Sequence, residues 1–178
     1  MSQYISILRG INVGGKRKIL MKDLKQSLEK IGLTDVRTYI QSGNIVFKSV
    51  NYNTNQLEVL LCNAIKKTFG HDVPVIVLSD KEWRKMIECN PFIKEDINHL
   101  HITLLQSVPE KKSIEQLMQV TAIQEDKIEV IGKSVYMLIK RAYHHTKLTN
   151  RVFERCLKTK ASTRNWKTAL KINELLDK

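Results

Sequence analysis

Val36-Arg37-Thr38-Tyr39-Ile40-Gln41-Ser42-Gly43-Asn44-Ile45-Val46-Phe47-Lys48 holds two short β-rich runs that meet at Ser42-Gly43. Strand alternation puts Arg37, Tyr39 and Gln41 on one face and Val36, Thr38 and Ile40 on the other. Two such runs around a glycine turn read as a hairpin. On the N-terminal side, residues 21–31 place Leu24, Leu28 and Ile31 at helical spacing and stop at Gly32. On the other side, residues 55–69 repeat the spacing through Leu57, Leu61, Ala64 and Ile65 and close at Gly70. Residues 4–9 and 73–78 are apolar strands that complete a β-α-β-β-α-β order, the ferredoxin-like pattern.

The second half is similar and less complete. Ser79 can cap a helix over 80–89 that packs Trp83 and Ile87, with Asn90-Pro91 breaking it. A strand over 101–105, a helix over 109–121 and a hairpin of 127–131 with 134–139 around Gly132-Lys133 follow. Two amphipathic helices over 147–157 and 164–176 end the chain. The expected fold is α+β, with two ferredoxin-like (βαββαβ-type) halves. Residues 1–79 form the first, and residues 80–178 form the second with its two C-terminal helices. No Pro/Gly/Ser linker separates them, so one compact body is expected.

Composition narrows the setting. The 178 residues are 42% hydrophobic and 27% charged, ordinary for a folded protein. No run of 18 apolar residues occurs, so no membrane partner is expected. The start, Met1 through Arg9, lacks the basic and apolar regions of a signal peptide. Cys62, Cys89 and Cys156 lie far apart with no metal spacing and read as reduced thiols, so a cytoplasmic location is expected. The net charge of +12 is concentrated in two stretches. Residues 9–25 carry six basic side chains against Asp23 alone, and residues 133–171 carry eleven against Glu154 alone. Such clustering suits a polyanion or a phosphorylated ligand, or else a solvated basic surface.

The motifs sharpen this only in part. Gly10-Ile11-Asn12-Val13-Gly14-Gly15-Lys16 satisfies G-x-x-x-x-G-K, but Arg17 stands where a phosphate loop needs Ser or Thr, and Lys18-Ile19-Leu20 delay the helix. A nucleotide hydrolase is therefore not expected. The loop either nests an anion with its glycine amides and Lys16, or makes a tight connection through positive φ. The Arg37/Tyr39/Gln41 face lacks the paired aromatics of an RNA-recognition sheet and is expected to pack against the second half. Lys147, Arg151 and Arg155 fall at i, i+4 and i+8 beside Lys158, the best polyanion footprint in the chain. Thr163-Arg164-Asn165-Trp166 opens the last helix behind a Ser162 or Thr163 cap, with Trp166 in the core, no structural duty evident for Arg164 and Asn165, and helix-start N–H groups beside Arg164 that can seat an anion. His99 and His101 share a strand face, and His144-His145 sit in a basic loop, so no metal site is expected. No G-x-S-x-G, H-E-x-x-H or Cys–His pair is present, so no catalytic residue is assigned and no cofactor is expected.

Five segments carry a resemblance. Arg9 through Lys16, Asp35 through Asn44, Asn90-Pro91-Phe92, Lys147-Leu148-Thr149 and Thr163-Arg164-Asn165-Trp166 resemble, in this order, the bacterial domain-of-unknown-function 1697 family. The resemblance implies a two-part α+β fold and no particular activity. Ile19-Leu20-Met21 stands where a proline before the first helix is commoner in relatives, which bears on where that helix starts. Both basic stretches contain signature segments, suggesting one anionic-ligand cleft between the halves. The expected ligand set is Arg9, Asn12, Gly14, Gly15, Lys16, Gln41, Ser42 and Asn44, with Lys147, Arg151, Arg155, Arg164 and Asn165. The favoured function is binding of nucleic acid or another polyanion. The alternatives are an enzyme acting on a small phosphorylated or acidic metabolite, and an adaptor docking an acidic protein. Oligomeric state is not legible in the sequence.

Overall fold

The computed structural model describes residues 1–121, 126–140 and 142–178; the side chain of His144 lies outside what is described. The elements run β1 (Ser2–Leu8), α1 (Met21–Lys30), β2 (Thr34–Tyr39), β3 (Asn44–Ser49), α2 (Thr54–Phe69), β4 (Val75–Ser79) and α3 (Asp80–Glu88). They continue as β5 (Leu100–Leu105), α4 (Lys111–Thr121), β6 (Lys127–Ile131), β7 (Ser134–Leu138), α5 (Asn150–Leu157), β8 (Ala161–Asn165) and α6 (Trp166–Leu176). Short 3-10 turns cover Ile97–His99 and Tyr143–His145. Two four-stranded antiparallel sheets result, ordered β2-β3-β1-β4 and β6-β7-β5-β8. The chain divides into one unit of Met1–Lys85 with Ile172–Lys178 and a second of Met86–Lys171, the division falling within α3 and within α6.

In the first unit, β1 is buried from Ile5 to Leu8 between β3 and β4. Leu24 and Leu28 of α1 and Leu57, Leu61 and Ile65 of α2 pack with Leu8, Ile45 and Phe47. Burying a side chain of this size stabilises by about 1.5–3 kcal/mol, which is why the apolar stripe of each helix is pinned to the sheet. Local chemistry sets the helix ends. Asn53 and Gln56 form a reciprocal capping box on α2, and Gly70 closes it in the left-handed conformation. Ser79 and Glu82 make the matching arrangement at the start of α3. Arg37 is held by Asp35 and donates from its guanidinium to the carbonyl of Leu175 at 2.8 Å, satisfying the C-terminal end of α6. Two left-handed residues, Asp35 (φ 51°) and Ile40 (φ 50°), bracket that part of β2. Ile40 ends the strand, so Gln41 leaves the face expected to carry it.

The second unit repeats the scheme with Leu105, Leu117, Val135, Met137, Phe153 and Cys156 in its core. Three expectations are corrected here. Ala161–Asn165 is a strand rather than the approach to a helix: it pairs with β5, and α6 starts at Trp166 with Asn165 as cap, its Oδ1 accepting from Thr168 N–H at 2.8 Å. Ala-Ser-Thr-Arg-Asn has no apolar alternation, and only its pairing to β5 makes it a strand. Lys147 lies before α5, whose N-cap is Thr149, so only Arg151 and Arg155 share its face. His99 belongs to the 3-10 turn rather than to the strand of His101. Trp166 is buried as expected. The three cysteines are free thiols. Among the described residues no helix is long and apolar enough to cross a membrane.

Candidate functional site

The glycine-rich loop after β1 folds back on itself. Gly14 and Gly15 both have positive φ and Lys16 N–H donates to Val13 O at 3.0 Å, the geometry of a type I′ turn. The amides of Lys16 and Asn12 are engaged within the loop, the latter on Arg17 O at 3.2 Å. Asn12, at φ 55°, acts as a strut: its Oδ1 accepts from Ile19 N–H, and its Nδ2 donates to Ile19 O and Gln41 O, all within 2.8–2.9 Å. Asn44 braces the neighbouring turn through Tyr39 O and the Ser42 hydroxyl. Gly43 lies so close beneath Leu8 that an added Cβ would stand 2.6 Å from Leu8 Cβ. Arg9, Asn12, Gln41, Ser42 and Asn44 are thus gathered at one end of the first sheet, where the asparagines do structural work. Lys16, Arg17 and Lys18 are exposed on the loop.

In the second unit Thr149-Asn150 and Thr163-Arg164-Asn165 are knitted together. Thr163 Oγ1 donates to Asn150 Oδ1 and shares a hydrogen bond with Thr103 Oγ1, each at 2.7 Å, and the Tyr143 hydroxyl also reaches the Thr163 side chain. Arg164 donates to Ser162 Oγ and Thr163 O, and burial pushes its pKa down to about 10, so it stays charged at neutral pH. On α5, Arg151 and Arg155 are exposed one turn apart and make no ion pair with a described residue. Glu154 lies between them in sequence, and its Oε1 accepts from Ala161 N–H at 3.2 Å. A depression beside the C-terminal end of α5 is lined by Lys158 and Lys160 but also by Glu154, and its Ser107 and Thr159 hydroxyls bond each other.

A cavity of about 400 Å³ opens where β5 begins, lined by Ile97, Asn98, His99, His101, Lys140, Ala142, Tyr143, Asn165 and Lys167. Sheet register explains the gathering, because His101 pairs with Met137 on one side and Asn165 on the other. The His101 and Tyr143 rings stack with centroids 4.6 Å apart and planes 21° from parallel. His101 Nδ1 lies 3.4 Å from the carbonyl of His99, which can only accept, so that nitrogen carries the proton. Burial lowers the imidazole pKa and raises that of the Tyr143 phenol, keeping both neutral at pH 7. The described lining carries two lysines and no carboxylate. Asp96 stands near enough to feel His99 and Lys167, and its carboxyl is held low first by the Asn98 backbone amide. Among the described residues no three His, Cys, Asp or Glu side chains gather as metal ligands would.

Of the expected ligand set, only Asn165 lines this cavity. Lys140, Tyr143 and Lys167 were missed; the one signal in the sequence was the i, i+2 pair His99 and His101, weighed only for metal binding and set aside.

A family model described as Protein of unknown function (DUF1697) matches residues 1–136. That match stops before Lys147-Leu148-Thr149 and Thr163-Arg164-Asn165-Trp166. The solved structure of the conserved bacterial protein SP0830 from Streptococcus pneumoniae is similar over 98% of this chain and 98% of its own, at 25% identity and a TM-score of 0.75. No curated protein matches the chain.

Proposed function

The chain belongs to the DUF1697 family of proteins of unknown function, and from that premise we propose that it is a binding protein for nucleic acid or another polyanion, held by the basic surface of the second unit. The observation that carries this reading is the exposed pair Arg151 and Arg155 on α5, free of ion pairs with described residues. Residues 133–171 supply eleven basic side chains against Glu154 alone, and Lys147 and Lys158 flank the helix. Like charges left one turn apart destabilise a helix slightly, and a ligand's phosphates would relieve them. The element order and the β2-β3-β1-β4 sheet support a ferredoxin-like reading of the first half, a scaffold that leaves function to its surfaces. Three free thiols support a cytoplasmic setting.

The test is titration of labelled single-stranded RNA and duplex DNA with nuclease-treated protein at several salt concentrations. Affinity should fall linearly on a log–log plot. Replacing Arg151 and Arg155 by Gln should lower the slope by about 1.4–1.8, as two fewer phosphates are neutralised. No binding at low salt, or an unchanged slope in the double variant, would reject the reading. The cavity at the start of β5 favours a second reading, capture of a small phosphorylated molecule.

A further inference from the structure

We propose that the cavity of the second unit binds a small phosphate monoester carrying an aromatic ring, such as a nucleoside 5′-monophosphate. The same place in the first unit is closed over. Tyr4 pairs with Phe47 and Ser79 just as His101 pairs with Met137 and Asn165. Tyr4 stacks on Phe47 at 5.9 Å and its hydroxyl donates to Tyr52 O at 3.0 Å, so the short connection of residues 50–53 closes over the ring. In the second unit the connection from β7 to α5 spans residues 139–149, and Met137 replaces the aromatic partner. The ring of His101 is met instead by Tyr143 from that connection, and a cavity opens beside the pair.

Its chemistry is directional. His101 and Tyr143 form a two-ring shelf on which a third ring can stack, an interaction every nucleobase accepts. The near-parallel stacking of the two rings, 21° apart, holds the shelf together. Lys140, just after β7, and Lys167, in the first turn of α6, line the same space with two basic side chains. Asn165 Oδ1 is taken by Thr168 N–H, so what this side chain offers a ligand is its NH₂. With His101 Nδ1–H turned to His99 O, Nε2 is the acceptor of that ring. A volume of about 400 Å³ lies within the usual range for small-molecule sites. Asp96, the nearby carboxylate, is occupied by the Asn98 backbone N–H and side-chain Nδ2, at 2.9 and 2.8 Å.

Calorimetric titration of the full chain with adenosine 5′-monophosphate, ribose 5-phosphate and adenosine tests this. The monophosphate should bind, with ribose 5-phosphate weaker by about fivefold or more for lack of the stacked ring. Adenosine should be weaker by about tenfold or more for lack of the charged group. Lys140→Gln with Lys167→Gln should cost the monophosphate about tenfold and leave adenosine unchanged. Tyr143→Leu should reduce the monophosphate to the level of ribose 5-phosphate, while Tyr143→Phe, which keeps the ring, should retain it. The proposal is overturned by no heat of binding with the monophosphate at millimolar concentration, by ribose 5-phosphate binding equally well, or by indifference to the lysine pair. A monophosphate affinity that falls as far with Arg151→Gln and Arg155→Gln as with the lysine pair would also overturn it. Because these probes are monomers, failure here leaves the salt-dependent polymer reading to its own test.

Discussion

In the first unit Leu8 N–H donates to Gly43 O at 2.8 Å and Arg9 N–H to Pro74 O at 3.0 Å; in the second, Leu105 N–H donates to Lys133 O at 2.8 Å and Gln106 N–H to Lys160 O at 3.0 Å. The correspondence continues at the edge strands. Glu58 of α2 accepts from Val77 N–H of β4, and Glu154 of α5 accepts from Ala161 N–H of β8. Each last strand runs straight into a helix capped by its own final residue, Ser79 or Asn165. The two units are therefore built on one plan, and their differences localise what each can do. The first locks its glycine loop with the side-chain amide of Asn12 and its hairpin turn with that of Asn44. The second puts its chain length into the connection at the opposite end of the sheet, where a cavity lined by lysines and stacked rings results.

The sharpest way to break this comparison lies at the hairpin turns. Gly43 packs against Leu8 and Ile11 at φ 77°, whereas an added Cβ at Gly132 would meet nothing within 4 Å. Gly43→Ala should lower stability by about 3 kcal/mol or prevent folding, and Gly132→Ala should cost only about 1 kcal/mol. Urea denaturation of the two variants decides it, and equal losses would mean the turns are not packed differently. Next come the C-terminal caps, both left-handed: Gly70 closes α2 at φ 71° and Lys158 closes α5 at φ 56°. Lys158→Gly should stabilise by about 0.5–1 kcal/mol, seen as a higher melting temperature, while Gly70→Ala should destabilise by a similar amount.

A pH titration separates the units further. His101 has a folded pKa below its ordinary 6.5 because burial disfavours the imidazolium. Its contribution is present above pH 6.5 and is lost as pH falls through the depressed folded value. Asp35 in the first unit acts with the same sign, but its carboxyl is held low by Arg37 and then Lys48, so its contribution is lost only below the carboxylate range. His101→Gln should therefore flatten the loss of thermal stability just below pH 6.5 and leave the strongly acidic limb as it was. The smallest effect is expected on α5, where Arg151→Gln with Arg155→Gln should raise stability by about 0.3 kcal/mol at low salt and by nothing at high salt.

Much of the fold was legible because its determinants are local. Leu24 and Leu28, or Leu57, Leu61 and Ile65, mark a helix by spacing alone, Gly70 marks where α2 ends, and Ser79 marks where α3 begins. The last strand was not legible. Ala161–Asn165 is short, polar and without alternation, and it is extended because β5 supplies its hydrogen bonds. Of the site only Asn165 was among the expected ligands and the His99/His101 pair was visible by spacing, since lysines and a tyrosine from three separate segments carry no shared spacing.

The sequence by itself determined the helices, the hairpins, the family and the two concentrations of positive charge, all of which follow from neighbouring residues. Tertiary structure decided that Asn12 is a strut, that β8 completes the second sheet, and that His101 and Tyr143 stack beside Lys140, Lys167 and Asn165. Each of those depends on residues far apart in the chain being brought within a few ångströms, and strand register, not local propensity, sets which ones meet.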